Sequence, residues 1–295
     1  MEYPTTANLK TRKINDIWEI KGVAFKAIIK SFIFDVTTMR IDFHTHLGRG
    51  DPWYKDSNLE EQMHAKTVND LLAEMKKSDV DKCVVTPNYR LPHRLIQANF
   101  DLSNDIKPYS QFVAFAWLDP RISNVSEALE ILVTKHHFRG LKLHPVLNGY
   151  YPSNRVVLPL IETAVELSIP IYIHTGFGNL GKIEYLSNIV DTFPQARIVV
   201  GHMIEDDCID FIDEHENVSL ETSYTSYDKN PEIGRKKLEK AVKIAGSHKI
   251  VLGSDWPMGA GMEQEISKIT HAGISEEDKQ KILGENALKI LNLEK

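Results

Sequence analysis

The chain has 295 residues, enough for one large barrel or two modest domains with a sizeable core. Its 35 Lys plus Arg stand against 41 Asp plus Glu, a net charge of −6, with 42% apolar and 26% charged residues, which excludes a disordered chain and argues against a nucleic-acid surface. Cys83 and Cys208 lie far apart, so a disulfide scaffold, a thiolate metal site and a redox pair are excluded and a reducing, cytoplasmic setting is expected.

In residues 1–38 the most apolar stretch, Val23 to Val36, is interrupted by Lys26 and Lys30, which fits neither a secretory signal nor a membrane span. This segment is expected to be a dispensable extension ahead of a single domain over 39–295. From Arg40 onward β-branched runs recur at Arg40–His44, Lys82–Thr86, Phe112–Leu118, Gly140–His144, Pro170–His174, Arg197–His202, Val218–Thr222 and Lys249–Asp255. They are nearly continuous in apolar character, as expected of parallel strands covered by helices.

The intervening segments have helical spacing. Val68, Leu71, Leu72 and Met75 form a stripe with Thr67 placed as its cap. Val157, Leu160, Ile161 and Ala164 repeat that stripe, with Pro159 tolerated near the helix start. Ser275 followed by Glu276, Glu277 and Asp278 opens the last helix with acidic residues where the macrodipole favours them. This alternation predicts an α/β fold, a (β/α)₈ TIM barrel; two doubly wound domains are the runner-up.

In such a barrel the chemistry lies at the carboxyl ends of the strands. There the chain offers His44 and His46, which on an extended strand face one side about 6 to 7 Å apart, then His174, His202 and Asp255. His44, His46, His174 and Asp255 supply three nitrogens and one carboxylate, a set suited to Zn²⁺, with Mn²⁺ or Fe²⁺ as alternatives, that leaves a position for water. His202 is then placed to orient water, polarise a substrate oxygen or exchange a proton. Lys142 and His144 share one strand face, opposite Leu141 and Leu143, and are expected to enter the barrel. Carboxylation to bridge two metals, binding of an anionic substrate and a structural ion pair all remain open for Lys142.

The set His44-Thr45-His46, Leu141-Lys142-Leu143-His144-Pro145, His174-Thr175-Gly176, Gly201-His202 and Gly253-Ser254-Asp255-Trp256-Pro257, with the terminal Leu283-Gly284-Glu285-Asn286-Ala287, resembles the amidohydrolase superfamily. Within it, the chain looks like the amidohydrolase-related group that includes aminocarboxymuconate semialdehyde decarboxylase and related lactonases. The resemblance spans roughly residues 40–292. It implies His44, His46, His174 and Asp255 as the metal set, His202 as the catalytic histidine, one ion per chain rather than two, and oligomerisation, with a homodimer the expected form. It does not select between hydrolases and non-oxidative decarboxylases.

Gly176-Phe177-Gly178-Asn179-Leu180-Gly181 matches a dinucleotide-binding glycine pattern, but the next strand ends in Gly201-His202 rather than the acidic residue that a ribose requires. Arg49, Arg90 and Arg121 follow strands and are candidates to grip a substrate carboxylate, and Trp53, Tyr54, Tyr224 and Trp256 to line the pocket. The sequence reading is therefore a metal-dependent hydrolase in which Asp255 takes a proton from activated water and His202 steadies the oxyanion of a small amide or lactone. The alternatives are a decarboxylase of an unsaturated or aromatic carboxylate and a non-catalytic, metal-stabilised binding barrel. The partner expected is a small molecule, with neither nucleic acid nor membrane involved.

Overall fold

The computed structural model describes residues 39–51, 66–203, 205–224 and 230–293; the expectations for residues 1–38, Trp53 and Tyr54 lie outside them. Eight parallel strands lie side by side in chain order: β1 (Ile41–Leu47), β2 (Lys82–Pro87), β3 (Phe112–Trp117), β4 (Gly140–Leu143), β5 (Ile171–His174), β6 (Ile198–Gly201), β7 (Val218–Glu221) and β8 (Ile250–Val251). A helix follows each in turn: α1 (Val68–Ser78), α2 (Leu95–Ile106), α3 (Val125–His136), α4 (Leu158–Glu166), α5 (Ser187–Thr192), α6 (Asp207–Glu214), α7 (Pro231–Ala245) and α8 (Met262–Thr270). The ring closes beyond the short β8, where Phe43 N–H donates to Leu252 O and His46 N–H to Trp256 O, both at 2.8 Å. The molecule is a (β/α)₈ TIM barrel. No helix among the described residues is long and apolar enough to cross a membrane.

Alternate residues along the strands sort into two apolar layers. Val84, Val113, Phe115, Tyr172, Val199 and Val251 fill the barrel interior with Ile41 and Phe43. Their neighbours Cys83, Val85, Ala114, Leu141, Leu143, Ile171, Ile173 and Leu220 face outward against the helices. This period of two is that of a strand buried on both faces. The register of β1 shifts between Asp42 and Thr45, so the inward set passes from Phe43 to His44 and His46. At the opposite end of the barrel, Asn286 donates to the carbonyls of Ser247 and Ile250 at 2.8 Å, and Ala287 and Leu291 plug the inner layer. Gly284 passes so close to Met39 O that any Cβ would overlap it, which explains the glycine in the terminal Leu283-Gly284-Glu285 segment.

Thr67 opens α1 as expected: its hydroxyl accepts from Asp70 N–H, and the Asp70 carboxylate accepts from Thr67 N–H. Thr67→Ala is expected to cost about 1 kcal/mol, seen in urea unfolding as a lower midpoint at unchanged slope.

Candidate active site

The carboxyl ends of β1, β4, β5, β6, β7 and β8 bring one polar cluster into the mouth. His44 Nε2 and His46 Nε2 lie 3.1 Å apart, and Asp255 Oδ1 is 3.1 Å from the first and 3.0 Å from the second. Lys142 Nζ, above the Tyr172 ring, is 3.0 Å from His44 Nε2. Asp255 is the most open of the acid–histidine trio, with 12% of its side chain exposed. Both Asp255 and His202 adopt left-handed backbone, φ 54° and 74°, a conformation that costs a non-glycine residue about 1–3 kcal/mol and is held only where surrounding structure fixes it.

His174 joins from the side. Its ring stacks on His144 at 3.7 Å, and His144 stacks in turn on Trp117 at 5.1 Å. His174 Nδ1 is 2.9 Å from His202 Nε2. Of the four expected ligands, the structure thus brings His44, His46 and Asp255 into mutual contact and sets His174 beside them through His202. Lys142 and His144 point inward, as the strand alternation predicts, while Leu141 and Leu143 pack outward.

Beneath these residues lies a group not singled out from the sequence. Glu221, fully buried at the end of β7, accepts at Oε2 from the hydroxyls of Tyr172 and Ser223, both at 2.9 Å, and from His202 N–H at 3.2 Å; Oε1 accepts from Ser223 N–H at 2.5 Å. Two glycines make the space. A Cβ at Gly201 would overlap the Tyr172 hydroxyl, and one at Gly253 the Glu221 carboxylate. The available signal was periodicity: Leu220 faces out, so Glu221 faces in, and Tyr172 lies two residues before His174 on the same face. Asp42, also buried, accepts from His44 N–H and Ser254 N–H at 3.0 Å and from the Ser254 hydroxyl, tying β1 to the segment that carries Asp255.

Burial governs the electrostatics. It pushes the Lys142 amine down to about 7 against the pull of Asp255 and Glu221, and the His202 imidazole down to about 3. His44, His144 and His174 are likewise held well below the usual histidine range by burial and by their positive neighbours. Burial raises Glu221 to about 7 and Asp42 to about 8. Asp255 goes the other way: burial pushes its carboxyl up, but the hydrogen bond and charge of His46, with His202 and Lys142, hold it below the ordinary aspartate value. His44, His144, His174 and His202 are therefore neutral and Asp255 is an anion.

Other candidates are occupied elsewhere. The Arg121 guanidinium is held by Asp119 at 2.7 Å and by the carbonyls of Asn148 and Gly149. Arg90 pairs with Asp51, as does Arg94. Arg49 is exposed and lines a small cavity of about 30 Å³ with Asn88 and Arg90. Trp256 packs in the outer apolar layer. Tyr224 does reach the site, its ring 5.1 Å from that of His202, with its hydroxyl donating to Met258 O. The glycine-rich segment curls on itself, Gly176 N–H donating to Gly181 O and Gly181 N–H to Gly178 O. It ends in a short 3₁₀ turn at Asn179–Gly181 rather than opening a long helix, so its amides do not form a dinucleotide cradle.

Two overlapping groups have the spacing of metal ligands, His44–His46–Asp255 and His44–His202–Glu221. In the second, the carboxylate is already saturated by hydroxyl and amide donors. In the first, buried acceptors 3.0–3.1 Å apart repel unless positive charge lies among them. A proton there serves one neighbour at a time, whereas a cation serves all three. His174 Nε2 is buried with no hydrogen-bond partner among the described residues, a further nitrogen with an open lone pair. These residues fit a divalent cation with nitrogen and oxygen ligands.

Comparison with known proteins agrees with the architecture. A family model described as amidohydrolase matches residues 41–293. The crystal structure of 5-carboxyvanillate decarboxylase LigW from Sphingomonas paucimobilis is similar at a TM-score of 0.69 and 15% identity, covering 87% of this chain and 99% of that one. 2,6-Dihydroxybenzoate decarboxylase from Rhizobium gives 0.67 and 17%, covering 87% and 99%. Dihydroxybenzoic acid decarboxylase from Polaromonas sp. JS666, with bound manganese and the inhibitor 2-nitroresorcinol, gives 0.66 and 18%, covering 87% and 98%. No curated protein sequence matches the chain.

Proposed function

The chain belongs to the amidohydrolase family, and from that premise we propose that it is a metal-dependent, non-oxidative decarboxylase of an aromatic or unsaturated carboxylate. The observation that carries this reading is the pairing of a cation-seeking cluster with an aromatic lining. Three acceptors converge within 3.1 Å, and beside them the rings of Trp117, His144, His174 and Phe177 lie nearly parallel, their planes 16–24° apart from one to the next. Stacked on one another at 3.7–5.7 Å, these rings give the cluster an aromatic lining, and the acids named for the similar decarboxylases are aromatic.

His44, His46, His174 and Asp255 would hold one divalent cation, and this donor set accepts Zn²⁺ and Mn²⁺ alike. When bound, that ion supplies positive charge that orients a substrate carboxylate and draws electron density toward it. Asp255 is the proton carrier. Its carboxylate, ionised in the free site, would take up a proton from solvent and pass it to the ring or alkene carbon as the bond to the carboxylate breaks and carbon dioxide leaves, which returns Asp255 to the anion. Lys142, beside His44 and with no carboxylate within salt-bridge distance among the described residues, would neutralise the substrate's second anionic oxygen. His202 and His144 hold the walls, His202 also keeping His174 in place. Arg49 and Arg121 would act at most at the rim, Arg121 already being paired.

The ionised state of Asp255 favours a second reading, the hydrolase, in which the same carboxylate acts as base toward water on an amide or lactone. Turnover of a panel of hydroxybenzoates, unsaturated carboxylates, lactones and amides by the Zn²⁺- or Mn²⁺-loaded protein separates the two. Carbon dioxide release from a carboxylate is expected; lactone or amide cleavage without it would replace the decarboxylase reading.

A further inference from the structure

We infer that Glu221 sets the proton register of His44, His202 and His174, so that one buried carboxylate leaves Nε2 of both His44 and His174 unprotonated, with a lone pair to give an ion. The inference rests on the reading of His44 and His174 as ligands and concerns which atoms of those rings carry hydrogen.

Every group around Glu221 is a donor to it. Ser223 N–H and His202 N–H are backbone amides and occupy both oxygens as donors; the ionised carboxylate they favour has no proton to give and accepts from the two hydroxyls as well. A hydroxyl has one proton. Tyr172 gives its proton to Glu221 Oε2, so its oxygen accepts from His44 Nδ1, 2.7 Å away. The ring proton of neutral His44 is thereby fixed at Nδ1, and Nε2 is a bare lone pair facing His46, Asp255 and Lys142.

The second arm runs through Ser223. Its proton also goes to Glu221 Oε2, so Ser223 Oγ accepts from His202 Nδ1 at 2.6 Å. His202 Nε2 is then an acceptor, and the group 2.9 Å from it, His174 Nδ1, must be the donor. That leaves His174 Nε2 unprotonated, which is the buried atom without a partner. His46 follows the same pattern by a separate route: Thr86 donates to Thr45 O, and its oxygen accepts from His46 Nδ1 at 2.8 Å. All three histidines thus donate through Nδ1, as metal-bound imidazoles do, and two of the three owe it to Glu221.

Glu221→Gln tests this. Ser223 N–H lies 2.5 Å from Oε1 and His202 N–H 3.2 Å from Oε2, so the amide oxygen keeps the closer contact to Ser223 and the nitrogen takes the Oε2 position, giving up the His202 contact and donating to both hydroxyls. Each hydroxyl then donates to its histidine, and the ring protons of His44, His202 and His174 move to Nε2. In the metal-free protein, ¹⁵N NMR of the imidazoles should report the exchanged tautomers, and Zn²⁺ affinity by chelator competition should fall about 10–100-fold. Tyr172→Phe should disturb only His44, leaving it the longer 3.4 Å contact from Nδ1 to Glu221 Oε2, and Ser223→Ala only His202 and His174; these milder variants carry the test if Glu221→Gln fails to fold. Native tautomers in Glu221→Gln, or disturbance of all three rings by either single-arm variant, would overturn the relay. Exchanged tautomers with unchanged Zn²⁺ affinity would instead overturn the assignment of His44 and His174 as ligands. Neither measurement depends on turnover, so the relay stands or falls apart from the decarboxylase reading.

Discussion

Asp255→Asn is expected to lower kcat by about 10³-fold, within the range for loss of one general acid or base. The amide keeps the shape of the side chain, so Trp256 and the closure of the barrel are undisturbed, but it can neither carry the reacting proton nor offer negative charge. The 3.0–3.1 Å contacts to His44 and His46 become contacts to a neutral oxygen or to an amide N–H, and the ion is held less tightly. Parallel kcat and metal analyses over a range of Zn²⁺ or Mn²⁺ separate the two losses. Saturating metal is expected to restore occupancy while kcat stays low. A variant that keeps more than a tenth of native kcat would remove Asp255 from proton transfer.

His44→Ala is expected to have the largest effect on metal content, because His44 touches His46, Asp255, Lys142, Tyr172 and Glu221. Its loss removes a first ligand and also leaves Lys142 free to move against Asp255, where an ammonium–carboxylate pair competes with the ion for the same charge. Metal affinity should fall by more than the roughly 10–100-fold typical of losing a supporting residue, and activity should fall with it. Thermal unfolding of the metal-free variant monitors the fold separately. Stoichiometric metal retained through gel filtration would strike His44 from the ligand set.

The barrel was legible because its strands are fully buried. Each β-branched run in the sequence corresponds to a strand, and the ends differ by a residue or a few. The largest difference is β8, where the apolar run of Lys249–Asp255 shrinks to a paired Ile250–Val251. Gly253 sits against Glu221, and Asp255 takes a left-handed turn, so the backbone leaves the ladder in order to aim the carboxylate inward. Histidines and an aspartate at strand ends were conspicuous because such groups interrupt apolar runs. Tyr172 and Glu221 were not, since an aromatic residue inside a run reads as filler and a glutamate at its end reads as the start of a loop. Arg121 shows the converse: its position after β3 suggests a substrate clamp, but Asp119, two residues before it, takes up the charge.

Gly201 and Gly253 bear on how this chain can change over evolutionary time. Each is a gap shaped to a neighbour, the Tyr172 hydroxyl in one case and the Glu221 carboxylate in the other. Neither site can drift alone, because the smallest side chain would displace a group that the cluster uses. Passable routes require paired replacement, with the tyrosine or glutamate shrinking before the glycine grows, and the intermediate gives up a hydrogen bond with no steric relief in exchange. The two glycines thus act as a ratchet on the mouth of the barrel: the helical shell can diverge one residue at a time, whereas the polar floor is inherited in blocks.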